Sequence, residues 1–87
     1  MPTNREVAEW MATQVPRHYI LYQEWLVGRI QRRFGKEHVY VNAGGGLSIS
    51  RGVLREFRKL TPDLIWDRSE KGWRKRYSHE RSGRLAD

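Results

Sequence analysis

The sequence predicts a single domain of the α+β class, with three helices and a small antiparallel β-sheet or hairpin. The chain has 87 residues, which is the length of one domain. Hydrophobic residues make up 38% of it and include four tryptophans, enough for a compact core. Three stretches have apolar residues at helical spacing, and short strand-like stretches separate or follow them. We expect the domain to cover residues 1–77, followed by a polar, flexible tail over 78–87.

The first helix is predicted over residues 4–15. Thr3 and Glu6 have the spacing of a capping box, in which each side chain bonds the other residue's backbone amide. Pro16 marks the end of the helix. The apolar residues at helical spacing are Val7, Trp10, Met11 and Val15.

The second helix is predicted over residues 24–34, after a short strand over 19–22. Gly35 supplies the helix stop. Four apolar side chains fall within one arc of about 100° and define the buried face. They are Leu26, Val27, Ile30 and Phe34.

The third helix is predicted over residues 51–60, with Ser50 as its N-cap and Thr61–Pro62 after its end. Residues 38–41 and 47–49 alternate like strands on either side of a glycine run. This segment forms either an irregular hairpin or a flexible loop with strand-like ends.

The last predicted element is a β-hairpin with strands over 64–66 and 73–77. A charged connection containing one glycine joins the strands. Trp66 and Trp73 are placed to pair across the hairpin, a contact of about 0.2–1 kcal/mol.

The chain is strongly basic. Seventeen Lys and Arg against ten Asp and Glu give a net charge of +7. Residues 1–47 hold six basic and four acidic residues, whereas residues 48–87 hold eleven and six, so most of the excess is C-terminal. Nucleic acid is the commonest acidic partner of such a domain. The alternative is an ordinary basic protein whose charge serves solubility.

Several kinds of site are excluded or disfavoured by the residues present. With no cysteine there is no disulfide and no thiolate metal site. The three histidines, His18, His38 and His79, lie in separate segments without the spacing of helical zinc ligands. The glycine run lacks the GK[ST] ending of a phosphate loop, and no serine lies in a G-x-S-x-G pattern. We therefore expect neither an enzyme nor a bound cofactor or metal.

The mean hydropathy of −0.84 leaves no apolar run long enough for a membrane span. The first ten residues lack the apolar stretch of a signal peptide, so we expect a cytoplasmic protein.

The order helix, short strand, helix, helix and basic hairpin resembles the winged-helix variant of the helix-turn-helix. The resemblance covers residues 4–77 and is carried by the capped first helix, YQEWLVGRIQRRFG, SISRGVLREFRKL and LIWDRSEKGWRKRY. It extends to a small uncharacterised family of winged-helix-like proteins with the same layout. The resemblance implies that the third helix enters the major groove and that the hairpin contacts the DNA backbone or minor groove. The residues thereby implicated are Arg51, Arg55, Arg58 and Lys59 on the helix, and Arg74 and Arg76 on the hairpin.

One segment departs from this pattern. A helix-turn-helix joins its second and third helices by a turn of about 3–4 residues, but here residues 35–50 intervene. The insertion either reorients the third helix or supplies the first strand of the sheet.

The basic residues of the third helix stand opposite its apolar stripe, which suits a helix that packs on a core and presents cations to phosphates. The alternative is an amphipathic helix with an ordinary solvated face. On the hairpin, Arg74 and Arg76 share the face expected to point outward, and Trp73, Lys75 and Tyr77 share the other. Trp73 is expected in the core, with stacking on unpaired bases as the alternative.

Trp25 lies away from the apolar arc of the second helix, beside Arg29 and Arg32. These three residues form a candidate contact site for a partner. The alternative is that a second layer, such as the C-terminal hairpin, covers Trp25.

The sequence thus predicts a domain that binds nucleic acid, duplex DNA in the first instance, through residues 51–60 and 64–77. The alternative function is a protein-interaction module, either a homodimer or a domain that docks an acidic protein.

Overall fold

A computed structural model describes residues 2–76, and it contains three helices and five short strands. The predicted α+β class is confirmed. The predicted tail over 78–87 and the last strand residue, Tyr77, lie outside the described residues. The helices are α1 (Asn4–Gln14), α2 (Gln23–Phe34) and α3 (Arg51–Leu60). The strands are β1 (Leu21–Tyr22), β2 (Val39–Val41), β3 (Leu47–Ile49), β4 (Leu64–Asp67) and β5 (Gly72–Lys75).

Helix α1 begins at the predicted capping box. The Thr3 hydroxyl accepts a hydrogen bond from the Glu6 amide at 3.1 Å, and the Glu6 carboxylate accepts one from the Thr3 amide at 3.1 Å. The helix ends one residue before the predicted end because Pro16 has no amide hydrogen to continue it. Residues Val15–Arg17 tighten into a 3₁₀ turn instead.

Strand β1 is shorter than predicted and leads directly into α2, which begins at Gln23. Strand β1 pairs with β5, which also pairs with β4, so the sheet order is β1-β5-β4. A Cβ atom on Gly72 would lie 2.8 Å from Ile20 Cγ2 and 2.9 Å from the Leu21 carbonyl oxygen. Glycine at this position therefore permits the close approach of β5 to the chain that enters α2.

The insertion over residues 35–50 forms its own antiparallel hairpin, β2–β3, and does not supply a strand to the main sheet. Asn42 orders the glycine run that joins the two strands. Its side-chain oxygen accepts bonds from the amides of Gly44 at 3.0 Å and Gly46 at 3.1 Å, and its Nδ2 donates to Ser48 Oγ at 3.0 Å. Of the two alternatives, the hairpin is confirmed.

The core lies between the three helices and strands β1 and β3. Helix α1 makes its most extensive helix contact with α3, and apolar side chains of both helices lie in the buried cluster. The buried cluster comprises Val7, Ala8, Met11, Leu21, Leu26, Val27, Ile30, Ile49, Val53 and Phe57. Within residues 2–76, no helix is both long enough and apolar enough to cross a membrane.

Candidate nucleic-acid interface

Helix α3 separates its basic and apolar side chains cleanly. Val53 and Phe57 are buried, and Leu54 and Leu60 are partly buried. The four basic residues, Arg51, Arg55, Arg58 and Lys59, are exposed on the other side of the helix. Burial of the apolar stripe against α1 therefore fixes which way the cations point.

Glu56 forms an ion pair with one of these four cations, Lys59. Its carboxylate accepts hydrogen bonds from Lys59 Nζ at 3.1 Å and from Arg5 NH1 at 3.3 Å. The bond from Lys59, helped by Arg5, lowers the pKa of Glu56 against the opposing effect of burial. Lys59 is thus held by a neighbouring acid on its own helix.

The three arginines of α3 have no such neighbour in the described part of the chain. Among residues 2–76, no carboxylate oxygen lies within 4.0 Å of a side-chain nitrogen of Arg51, Arg55 or Arg58. We call these three residues the α3 basic face. A guanidinium that no acid neutralises retains its full charge for an external anion.

Arg74 contradicts the sequence prediction. It was expected on an outward basic face of the hairpin, but its side chain is only 6% exposed. Its Nε donates to Asp67 Oδ2 at 3.0 Å, and its NH1 donates to the Lys75 carbonyl oxygen at 3.1 Å. Asp67 and Arg74 lie on one side of the sheet because Ile65 pairs with Arg74 and Asp67 pairs with Gly72. Arg74 thus links β5 to β4 through a buried ion pair.

Asp67 also fixes the turn between β4 and β5. One carboxylate oxygen accepts bonds from the Ser69 amide at 3.0 Å, the Ser69 hydroxyl at 2.7 Å and the Glu70 amide at 3.2 Å. The bonds from Ser69 and then Arg74 lower the pKa of Asp67 to about 2, although burial opposes them. The turn therefore presents its exposed cations, Arg68 and Lys71, from an ordered backbone.

The two hairpin tryptophans pair as predicted. Trp66 lies directly opposite Trp73, with ring centroids 4.6 Å apart. Trp73 also packs edge-on against Phe57 of α3 at 5.4 Å. Trp73 thus joins the hairpin to α3. Lys75 at the end of β5 and Arg76 directly after it are exposed.

Trp25 is partly covered by Trp10 of α1 and by His18 of the turn after it. Its ring stacks on Trp10 with centroids 6.4 Å apart and an interplanar angle of 13°. The His18 ring lies 4.5 Å away, and the Arg29 guanidinium lies 4.9 Å from the Trp25 ring centroid. Arg32 is exposed, and its Nε donates a long bond of 3.4 Å to Gly28 of the same helix. The proposed partner site therefore consists of a half-buried tryptophan with two arginines beside it.

A cavity between the turn after α1 and strand β5 was not foreseen from the sequence. It measures about 420 Å³ and includes Arg17, His18, Trp73 and Lys75 in its lining. No local pattern could reveal it, since its two sides are more than forty residues apart in the chain. The only signal was that both segments are rich in aromatic and basic residues.

Comparison with known protein families gives one match, over residues 3–75. Neither the curated proteins nor the solved structures provide a match. The matched span includes all three helices and both hairpins described above. The chain therefore belongs to DUF6953, a family of unknown function.

Proposed function

We propose that this protein binds duplex DNA through the α3 basic face. One observation carries the proposal: Arg51, Arg55 and Arg58 are exposed on one side of a helix, with no carboxylate of residues 2–76 paired to them. Contacts of arginine with phosphates supply most of the affinity of non-specific DNA binding. Arginine can also form two bonds to the guanine edge in the major groove.

The position of the basic residues on a helix favours duplex over single-stranded nucleic acid. The major groove is about 12 Å wide and admits an α-helix. Binding of single strands relies on exposed aromatic rings on which bases stack. On the β4–β5 hairpin, Trp66 and Trp73 are packed on each other, and Trp73 also packs on Phe57, so both rings are engaged within the fold.

The element order supports the winged-helix resemblance behind this proposal. Strand β1 lies between α1 and α2 and pairs with β5, and the β4–β5 hairpin follows α3 directly. Because Arg74 is buried, the contribution of the hairpin passes to the exposed turn residues Arg68 and Lys71. Phosphate contacts from the turn would add to those from α3.

Charge reversal on α3 tests the proposal. Binding of a fluorescently labelled duplex is measured by anisotropy for the wild type and for the double variant Arg55→Glu/Arg58→Glu. The matched control is Arg29→Glu/Arg32→Glu, which makes the same charge change on α2. We expect the α3 variant to lose most of its affinity and the control to retain far more. Equal loss in both variants would reduce the effect to net charge, and loss in the control alone would move the interface to α2.

Self-association is a second candidate function, and the β2–β3 hairpin favours it. Val41 and Leu47 pair across the hairpin yet are 67% and 37% exposed. Tyr40 beside them is 44% exposed. An apolar hairpin with open edges is a typical surface for pairing with a second chain. Light scattering on wild type and Val41→Ser/Leu47→Ser tests this function, which predicts a wild-type dimer and a monomeric variant. A monomeric wild type at high protein concentration would exclude it.

A further inference from the structure

The cavity beside β5 has the size of a small-molecule site. Its volume of about 420 Å³ lies within the range of about 300–1,000 Å³ that ligand pockets occupy. One side is formed by the turn after α1, and the other by β5 with Leu64 of β4. The lining residues are Val15, Pro16, Arg17, His18, Tyr19, Leu21, Leu64, Trp73, Arg74, Lys75 and Arg76.

The charge of this lining is positive. Arg17 and Lys75 are exposed and both line the cavity, Arg17 from the turn after α1 and Lys75 from β5. Among the lining residues within the described part of the chain, none is an aspartate or glutamate. Arg74 also lines the cavity, but its ion pair with Asp67 offsets its charge. Asp63 lines a separate hollow next to the cavity, together with Arg76. The cavity itself is therefore suited to an anion, and two exposed cations from separate segments of the chain favour a doubly charged head group.

Apart from His18 and Arg76, the rest of the wall is apolar and aromatic. Trp73 is held in place by Phe57 and Trp66, so its face toward the cavity is already formed. Tyr19 is 82% exposed at the rim. A flat apolar group can lie against Trp73, and Tyr19 can cover it from outside.

We propose that this cavity binds an aromatic phosphate monoester, with the phosphate held by Arg17 and Lys75 and the ring placed against Trp73. This goes beyond the proposed function, because none of the residues of the α3 basic face lines the cavity. The phosphate dianion matches the two cations, and the aromatic ring matches the apolar wall. Both parts of the ligand are needed for binding.

Titrations followed by ¹⁵N nuclear magnetic resonance test the head group and the ring separately. The probes are phenyl phosphate, inorganic phosphate and phenol. We expect phenyl phosphate to bind at least about tenfold more tightly than either of the others. Its signals should move at the Trp73 indole and at the amides of residues 17–19. Equal affinity for inorganic phosphate and phenyl phosphate would refute a role for the aromatic wall.

Neutral variants identify the cations. Arg17→Gln and Lys75→Gln each change an exposed side chain, so the fold should persist, and the same spectra report this directly. Each variant should weaken phenyl phosphate binding at least about fivefold, whereas Arg68→Gln on the hairpin turn should not change it. Unchanged affinity in both cavity variants would overturn the proposal.

The α3 variant Arg55→Glu/Arg58→Glu should bind phenyl phosphate like the wild type. The loss of DNA binding and the loss of phenyl phosphate binding can thus be distinguished.

Discussion

The most quantitative prediction concerns how salt weakens DNA binding. Replacing Arg51, Arg55 and Arg58 by Gln removes the three charges of the α3 basic face but keeps side chains with good helix propensity. Each phosphate that a protein neutralises contributes about −0.9 to the slope of log affinity against log salt concentration. The triple variant should therefore have a slope shallower by about 3 than that of the wild type.

The expected change in slope counts three cations because the α3 basic face contains three arginines. Lys59 is left out because Glu56 holds its ammonium group at 3.1 Å, and Arg74 is left out because it is buried. Between about 50 and 200 mM salt, three such contacts account for an affinity loss of about 40-fold. Anisotropy titrations of a labelled duplex at several salt concentrations give both slopes. A triple variant with the wild-type slope would refute the assignment of α3 as the contact helix. The matched control is Arg29→Gln/Arg32→Gln/Arg33→Gln on α2, whose slope should stay closer to that of the wild type.

Three further predictions concern stability. His38 is buried, and neither ring nitrogen has a hydrogen-bond partner among residues 2–76, so His38→Leu should raise the free energy of unfolding by about 1 kcal/mol in urea titrations; a lower urea midpoint would contradict this. Because the pKa of Asp67 is lowered from 3.8 to about 2, its carboxylate stabilises the fold above pH 3.8 and loses that effect as the pH falls toward 2. Melting temperatures of wild type and Asp67→Asn should therefore converge over this interval, and parallel curves would show that Asp67 does not contribute. Gly72→Ala places a methyl group against the backbone of Leu21 and should cost about 1–3 kcal/mol, whereas Gly44→Ala, whose methyl group would meet Asn42 Oδ1 at an ordinary 3.5 Å, should not cause a packing clash. Equal urea midpoints for Gly72→Ala and the wild type would show that β1 can move away from β5.

The helices and the tryptophan pair could be predicted because their signals are local. Thr3 and Glu6 cap a helix through bonds that span three residues, and helical spacing identifies a buried face without knowledge of its partner. The pairing of Trp66 with Trp73 follows from the length of one turn.

The position of Arg74 could have been foreseen in part. Once Trp66 is aligned with Trp73, Arg74 lies opposite Ile65, and Asp67 points to the same side. A buried isoleucine, an aspartate and an arginine on one face indicate an internal ion pair better than an outward cation. Alternation along β5 alone gives two faces but does not say which one is covered.

Contacts between distant segments account for what the sequence did not reveal. The stacking of Trp10 on Trp25 depends on the angle between α1 and α2, which no local pattern encodes. The cavity beside β5 likewise depends on how residues 15–21 pack against the end of the sheet. The insertion over 35–50 was ambiguous because Asn42, which orders its turn, acts through side-chain bonds to several backbone amides.

Chemical-shift mapping during titration with a short DNA duplex tests the central claim most directly, because it locates the contact surface without mutation. If the α3 basic face binds the duplex, the largest chemical-shift changes fall on residues 51–58 of α3, with smaller ones on the turn around Arg68 and Lys71. Changes concentrated on Trp25 and Arg29 or on the β2–β3 hairpin, with α3 unaffected, would contradict it.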